Sequence, residues 1–138
     1  MNKPMDQDNV IDISKLSRAE IKSLLGFHLA HIGINAENKQ KAEAIAQMFA
    51  DAFDIDVIPG DQSAFAASYI EVMNTPYLGT YGHLSIATNS LMLAISYVQS
   101  RGFTIDTDSY KYNAEGKMVA VYLKEDFGGF AVHLMQKR

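Results

Sequence analysis

Apolar and polar residues alternate over short stretches of this chain, and the alternation twice gives way to a helical period. The first strand-like stretch is FHLAHIGI (27–34). In NKQKAEAIAQMFADAF (38–53), Asn38 can cap a helix along which Ala42, Ile45, Phe49 and Ala52 or Phe53 recur at helical spacing. DIDVIP (54–59) and SAFAASYIEVM (63–73) read as strands divided by a turn at Pro59 and Gly60. After the connector NTPYLGTYG (74–82), HLSIAT (83–88) reads as a strand. A helix follows, capped by Asn89 or Ser90, carrying Leu91, Ile95 and Val98 and closed by Gly102. FTIDTDSYKYN (103–113), MVAVYLKE (118–125) and GFAVHLMQ (129–136) supply the last strands. Turns are expected at 114–116 and at Gly128 and Gly129, and SYKYNAEGK (109–117) suits an extended hairpin. Ahead of all this, SRAE (17–20) has the capping-box pattern of a short helix running to about Leu25, with Gly26 at its C′ position. Residues 1–10 read as a flexible start.

The order strand, helix, strand, strand, strand therefore occurs twice, and the residues repeat with it. His31-Ile32-Gly33-Ile34 matches His83-Leu84-Ser85-Ile86. Phe53-Asp54-Ile55-Asp56 matches Phe103-Thr104-Ile105-Asp106, and Ile70-Glu71-Val72-Met73 matches Val132-His133-Leu134-Met135. A duplicated unit tends to carry its working residues at equivalent positions. Here that singles out His31 and His83 in the first strand of each unit, and Glu71 and His133 in the last.

Strand parity gives these four residues a common side. Residues two apart in a strand share a face. Ile32 and Ile34, Ile70 and Val72, Leu84 and Ile86, and Val132 and Leu134 can then pack on the two helices. Leu29, His31 and Gly33, with Tyr69, Glu71 and Met73, fall on the opposite, concave face, as do His83 and Ser85 and the set Ala131, His133 and Met135. His28 has the other parity and is expected to be structural. Three imidazoles and one carboxylate converging on that face would make a mononuclear site for a divalent metal (Zn, Ni, Fe, Co or Mn), with room for substrate or water. Alternatively, His31 and His83 could simply hydrogen-bond across the cup, and Glu71 could be a solvated carboxylate in an open cavity. Glu71 is also the best candidate for a catalytic base, as a ligand able to detach. Tyr69, Tyr77 and Tyr81 could line or cover the cup, and Met73 and Met135 could wall it, as substrate-binding residues.

Composition narrows the possibilities. The 138 residues carry a net charge of −4 with scattered Lys and Arg, which argues against a nucleic-acid or membrane-surface partner. Cysteine is absent, so disulfides, cysteine-based zinc sites and thiol catalysis are excluded. There is no secretory leader pattern, and no apolar run approaches the roughly 20 residues that span a bilayer, so a cytoplasmic location is the expectation.

A doubled βαβββ unit with a histidine at each head and a ligand near each tail resembles the vicinal oxygen chelate superfamily. That superfamily includes glyoxalase I, extradiol dioxygenases, methylmalonyl-CoA epimerase and the fosfomycin and bleomycin resistance proteins. The second half is the nearer match, through GHLSIATNS (82–90), RGF (101–103) and YLKEDFGGFAVHLMQ (122–136). The resemblance implies an α+β fold: two tandem βαβββ modules forming a cupped, incomplete mixed β-barrel with helices on the outer face, plus the short N-terminal helix. Residues 1–26 would be tail and helix, and 27–138 a glyoxalase-like domain of module one (27–73), connector (74–82) and module two (83–138). By position, His31, Glu71, His83 and His133 fall on the superfamily's four metal-ligand points. His133 departs from the pattern, since glyoxalase-type members usually carry glutamate there.

A narrower resemblance runs from about Leu25 to the end. LGFHLAHIGIN (25–35), IEVMNTPYLGTYGHLSIATNS (70–90) and GGFAVHLMQK (128–137) look like the C-terminal extension of some bacterial 2-keto-3-deoxy-6-phosphogluconate/2-keto-4-hydroxyglutarate aldolases. Together the resemblances imply a metal-dependent isomerase or lyase that acts on a small keto or hydroxy acid by chelating adjacent oxygens, and a homodimer. The alternative is a non-catalytic metabolite-binding, accessory or oligomerisation domain. Whether the four ligand candidates meet within one chain or across a dimer stays open in the sequence.

Overall fold

In the computed structural model, which describes residues 12–138, the short helix expected near the N-terminus is α1, Arg18–Leu25. Its capping box is complete: the Ser17 amide donates to Glu20 Oε1 (3.0 Å), and the Glu20 amide donates to Ser17 Oγ (3.1 Å). Gly26 ends the helix in the left-handed region, at φ 55°. A 3₁₀ turn at Ile13–Lys15 precedes it, which the sequence pattern does not announce. The expected flexible start, residues 1–10, lies outside the described residues.

Module one consists of β1 (His28–Asn35), α2 (Lys39–Phe53), β2 (Val57–Ile58), β3 (Ser63–Ala66) and β4 (Ile70–Met73). Asn38 caps α2 by accepting from the Lys41 amide, and Asp54 closes it at φ 53°. Asp54 therefore belongs to a helix end, and only Val57–Ile58 of DIDVIP pairs as a strand. The stretch 63–73 is not continuous. It folds back at residues 67–69, where Ala67 takes φ 52°, so that β3 and β4 pair antiparallel.

Module two repeats the order: β5 (Gly82–Thr88), α3 (Leu91–Ser100), β6 (Ile105–Tyr112), β7 (Met118–Leu123) and β8 (Phe130–Gln136). Ser90 caps α3, and the expected hairpin joins β6 to β7. The eight strands form one mixed open sheet in the order β2-β3-β4-β1-β5-β8-β7-β6. Within each module the first strand runs parallel to the last, and the modules meet where β1 and β5 pair antiparallel. The two halves of the sheet are thus related by a pseudo-twofold between β1 and β5.

The convex face carries two cores. Over module two, Leu91 and Ala94 of α3 pack on Ile105, Val121, Leu123, Val132 and Leu134. Helix α1 joins this core through Leu25, which is fully buried, while its carbonyl accepts from Thr88 Oγ1 at 2.7 Å. Over module one the core is mostly alanine: Ala42 and Ala46 of α2 meet Ala64, Ala66 and Val72. Larger side chains, among them Ile34, Ile45, Phe49 and Ile70, pack around this small-residue centre. No described helix is long and apolar enough to cross a membrane.

One face assignment changes. The β1–β5 register slips between Leu29 and His31, so Leu29 pairs with Ile86, a residue of the helix-side core, and does not share the face of His31. The same bulge removes the parity argument about His28, which pairs with Ala87. His28 is nonetheless tied to local structure, its Nδ1 donating to the Gly26 carbonyl at 3.0 Å.

Candidate metal centre

The sheet register lays the four candidate ligands out in two adjacent cross-strand rows. One row reads Phe65, Glu71, Gly33, His83, Ala131 across β3-β4-β1-β5-β8. The other reads His31, Ser85, His133, Tyr122 across β1-β5-β8-β7. The pseudo-twofold exchanges the rows: His31 with His83, Glu71 with His133, Gly33 with Ser85 and Phe65 with Tyr122. Each row thus sets two candidate ligands around a small residue. The curl of the sheet brings the two rows together over Gly33 and Ser85, within a single chain.

His31 Nε2, His83 Nε2 and Glu71 Oε1 form a nearly equilateral triangle. Its edges are 3.1 Å between the two imidazoles, 3.3 Å from His31 to Glu71 and 3.1 Å from His83 to Glu71. One ring nitrogen from each of His31, His83 and His133 lies within 4.8 Å of the others. The side chains of His31, Glu71 and His83 are only 11%, 17% and 2% exposed. The His31 ring stands edge-on to those of His83 and His133, with centroids 5.2 and 5.5 Å away.

The donor set fits a divalent ion. Four-coordinate zinc with bonds of about 2.0–2.1 Å holds its ligand atoms about 3.3 Å apart, close to the edges seen here. Without an ion the triangle is hard to satisfy. If only one imidazole Nε2 carries hydrogen, the other turns a lone pair on the carboxylate; if both do, both can donate to Oε1, but the two N–H groups then meet at an Nε2–Nε2 distance of 3.1 Å. His133 Nε2 is buried and has no hydrogen-bond partner among the described residues. A buried ring nitrogen of this kind, among other donors, is what a ligand position requires.

The surroundings fix the geometry. Ser63 Oγ donates to Glu71 Oε2 at 2.6 Å, which leaves Oε1 for the imidazoles. A Cβ at position 33 would lie 2.0 Å from His83 Cε1 and 2.1 Å from its Nδ1, so the His83 ring occupies the space a side chain would need. His83 Nδ1 is buried with no partner among the described residues, so the ring is positioned by its Nε2 contacts to His31 and Glu71 and by packing over Gly33 and beside Tyr122 (centroids 6.1 Å apart). Ser85 Oγ donates to Met135 Sδ at 2.9 Å.

The electrostatics follow from burial and these bonds. Burial alone raises the Glu71 carboxyl, but hydrogen bonds from His31, His83 and Ser63 outweigh it and hold the group well below the ordinary carboxylate range. His133 is pushed down to about 3, first by burial and then by the neighbouring imidazoles of His83 and His31, so it is a neutral imidazole at pH 7. The Tyr122 hydroxyl is pushed up by burial and by Tyr77 and Glu71 beside it. The cluster thus presents one carboxylate and a neutral His133 in a poorly solvated cup.

Two lobes open from the cluster. One, of about 370 Å³, is lined by Glu71, Met73, Tyr77, His83, Tyr122 and His133 among others. The second, of about 540 Å³, shares Glu71 and His133 and extends past His31, Phe65 and Met135. Met73, Tyr77 and Met135 therefore line the cup, whereas two of the expected tyrosines do not. Tyr69 sits in the β3–β4 turn, half exposed, with its carbonyl accepting from the Ile32 amide. The Tyr81 ring packs on Phe130 and over Gly129. For Tyr69 the reason is local: parity holds only inside a strand, and Tyr69 lies just before β4.

Ser63 and Tyr122 escaped the sequence reading. Parity carried into the third strand of each module would have found both. Ala64 and Ala66 face α2, which turns Ser63 and Phe65 to the cup; Val121 and Leu123 face α3, which turns Tyr122 there.

No model of a known protein family matches the chain, and no curated protein does. Solved structures do match. Methylmalonyl-CoA epimerase from Mycobacterium tuberculosis superposes with a TM-score of 0.62 at 15% identity, over 93% of this chain and 96% of that one. A variant of the Streptomyces coelicolor methylmalonyl-CoA epimerase, in complex with 2-nitronate-propionyl-CoA, gives 0.59 at 15% identity, over 80% and 94%. A hypothetical protein from Bacillus halodurans gives 0.58 at 16% identity, over 81% and 95%. The chain shares their fold. The expected α+β architecture of two tandem βαβββ modules is the observed one.

Proposed function

We propose that His31, Glu71, His83 and His133 hold a divalent metal, and that the protein is an isomerase or lyase for a small oxygenated acid. The observation that carries this reading is the triangle of His31 Nε2, His83 Nε2 and Glu71 Oε1, with edges of 3.1–3.3 Å, beside the unpartnered His133 Nε2. When bound, such an ion would act as a Lewis acid toward two adjacent oxygens of the substrate.

The remaining roles belong to the chain. Glu71 is the proposed base. While His31 and His83 bond to it, its carboxyl is too acidic to take a proton readily. If those bonds are lost, burial remains as a contribution that raises its pKa and makes it a better acceptor. Ser63 keeps Oε2 fixed during such a change. Met73, Met135 and Tyr77 wall the cup, and Tyr122 shields His83 and His133 from water.

The isomerase alternative draws on the epimerases among the structural neighbours. The keto-acid or hydroxy-acid substrate, and a role beside an aldolase, draw on the sequence likeness to the aldolase extension. A cytoplasmic homodimer completes the proposal. The test is metal analysis of protein purified without chelators, followed by calorimetric titration of chelator-stripped protein with Zn(II), Ni(II), Co(II), Mn(II) and Fe(II). One ion per chain, lost in His31→Ala/His83→Ala, supports the reading. No binding of any of these ions overturns it.

A further inference from the structure

The two lobes of the cup differ in charge. The smaller lobe sets Lys111 against Asp108, among the hydroxyl-bearing Thr75, Tyr77 and Tyr110. The larger lobe carries Lys111, Lys137 and Arg138, and among the described residues the one acidic side chain that lines it is Glu71, which is already bonded to Ser63, His31 and His83. This is an unusual concentration for a chain with 16 acidic and 12 basic residues. Among the described residues, none of the three cations has an ion-pair partner. Phe65, Val119 and Met135 give the same lobe an apolar stretch of wall.

We propose that the larger lobe is an anion subsite: the substrate carries, beside its chelating oxygens, a carboxylate or phosphate on a short carbon linker, held by Lys111, Lys137 and Arg138. This rests on the metal reading above, because the cluster fixes the chelating end. The apolar wall suits the linker, and three cations with no ion-pair partner among the described residues suit the anion. Lys111 lies near the end of β6, in a hairpin longer than its module-one counterpart β2–β3, and the residues equivalent to Lys137 and Arg138, Thr75 and Pro76, carry no charge. The subsite therefore gives the pseudo-symmetric cup a direction.

The test uses hydroxamates, which present two adjacent oxygens in a defined way. Zn(II)-loaded protein is titrated with acetohydroxamate, which has no second charge, with succinic monohydroxamate, which adds a carboxylate, and with phosphonoacetohydroxamate, which adds a phosphonate. At low salt at least one anionic probe is expected to bind about tenfold or more tighter than acetohydroxamate, and which of them does so distinguishes a carboxylate from a phosphate source. That advantage should shrink in about 0.5 M NaCl. It should fall to about twofold in Lys111→Gln/Lys137→Gln/Arg138→Gln, with Zn(II) and acetohydroxamate affinity retained as the check on folding. If Zn(II) and acetohydroxamate bind but neither anionic probe gains, or the gain survives the triple substitution, the anion subsite is overturned and the metal reading stands. If no metal loads, both fall.

Discussion

Gly33 and His83 face each other across the β1–β5 pair, and the imidazole of His83 lies over the glycine where a Cβ would otherwise be. Gly33 is thus a geometric requirement of the candidate centre, imposed by contact with the ring. In Gly33→Ala the ring must move, because the Cβ would sit 2.0 Å from Cε1. Metal affinity is expected to fall at least about tenfold, and stability to drop by about 1–3 kcal/mol through overpacking. Calorimetric metal titration and denaturant unfolding read the two effects separately. Unchanged metal affinity would show that His83 does not need its observed position.

Much of this arrangement was legible in the sequence because a duplication multiplies weak signals. A histidine in FHLAHIGI or a glutamate in YIEVMN means little alone, but the repeat pairs His31 with His83 and Glu71 with His133, and parity places them on one side. What remained hidden depended on backbone irregularity. The bulge after Leu29 and the turn at Ala67 each break the period of two, which misplaced Leu29 and Tyr69. Gly33 also looked like an ordinary strand glycine, since its role depends on a ring 50 residues away in the chain. The convergence of two cross-strand rows needs the curl of the sheet, which no local pattern encodes.

Ser63 is expected to matter through Glu71. Its hydroxyl donates at 2.6 Å to Oε2 and helps keep the carboxyl ionised. Ser63→Ala should cost about 1–3 kcal/mol, the cost of a lost bond to a charged group. Metal affinity should fall about 10–100-fold, as when an outer partner of a ligand is removed. Chemical denaturation and competition against a fluorescent chelator measure these. Ser63→Thr, which keeps the hydroxyl, should restore most of the affinity.

The chelator-stripped protein should lose stability as the solution is acidified. His133 is held near 3 in the folded state against about 6.5 in the unfolded chain, so between those values the unfolded state binds the extra proton. Stability therefore rises with pH across that window, by up to about 1.4 kcal/mol per pH unit for this one group. Glu71, also lowered, adds a loss of the same sign below its ordinary range near 4.5. Urea midpoints taken in a chelator from pH 7 down to pH 4 should fall steadily. His133→Phe should flatten the upper part of the slope, between pH 6.5 and pH 5. A flat profile in the parent protein would mean that His133 protonates freely in the fold.

The glyoxalase-type proteins that the sequence resembles usually carry glutamate at the point of His133, so His133→Glu probes what the exchange does. The cup would then hold two carboxylates about two imidazoles in place of one carboxylate about three. Without metal, a second buried carboxylate beside Glu71 meets burial and like-charge repulsion, and the two carboxyls should share protons at neutral pH. The chelator-stripped variant should therefore be less stable than the parent by about 1–3 kcal/mol. With metal, the extra oxygen donor favours harder ions, so affinity for Mn(II) should rise relative to Zn(II). Pairwise metal competition measures that ratio, and melting with and without metal measures the stability change. If the ratio is unchanged, position 133 contributes no donor and the ion is held by His31, Glu71 and His83 alone.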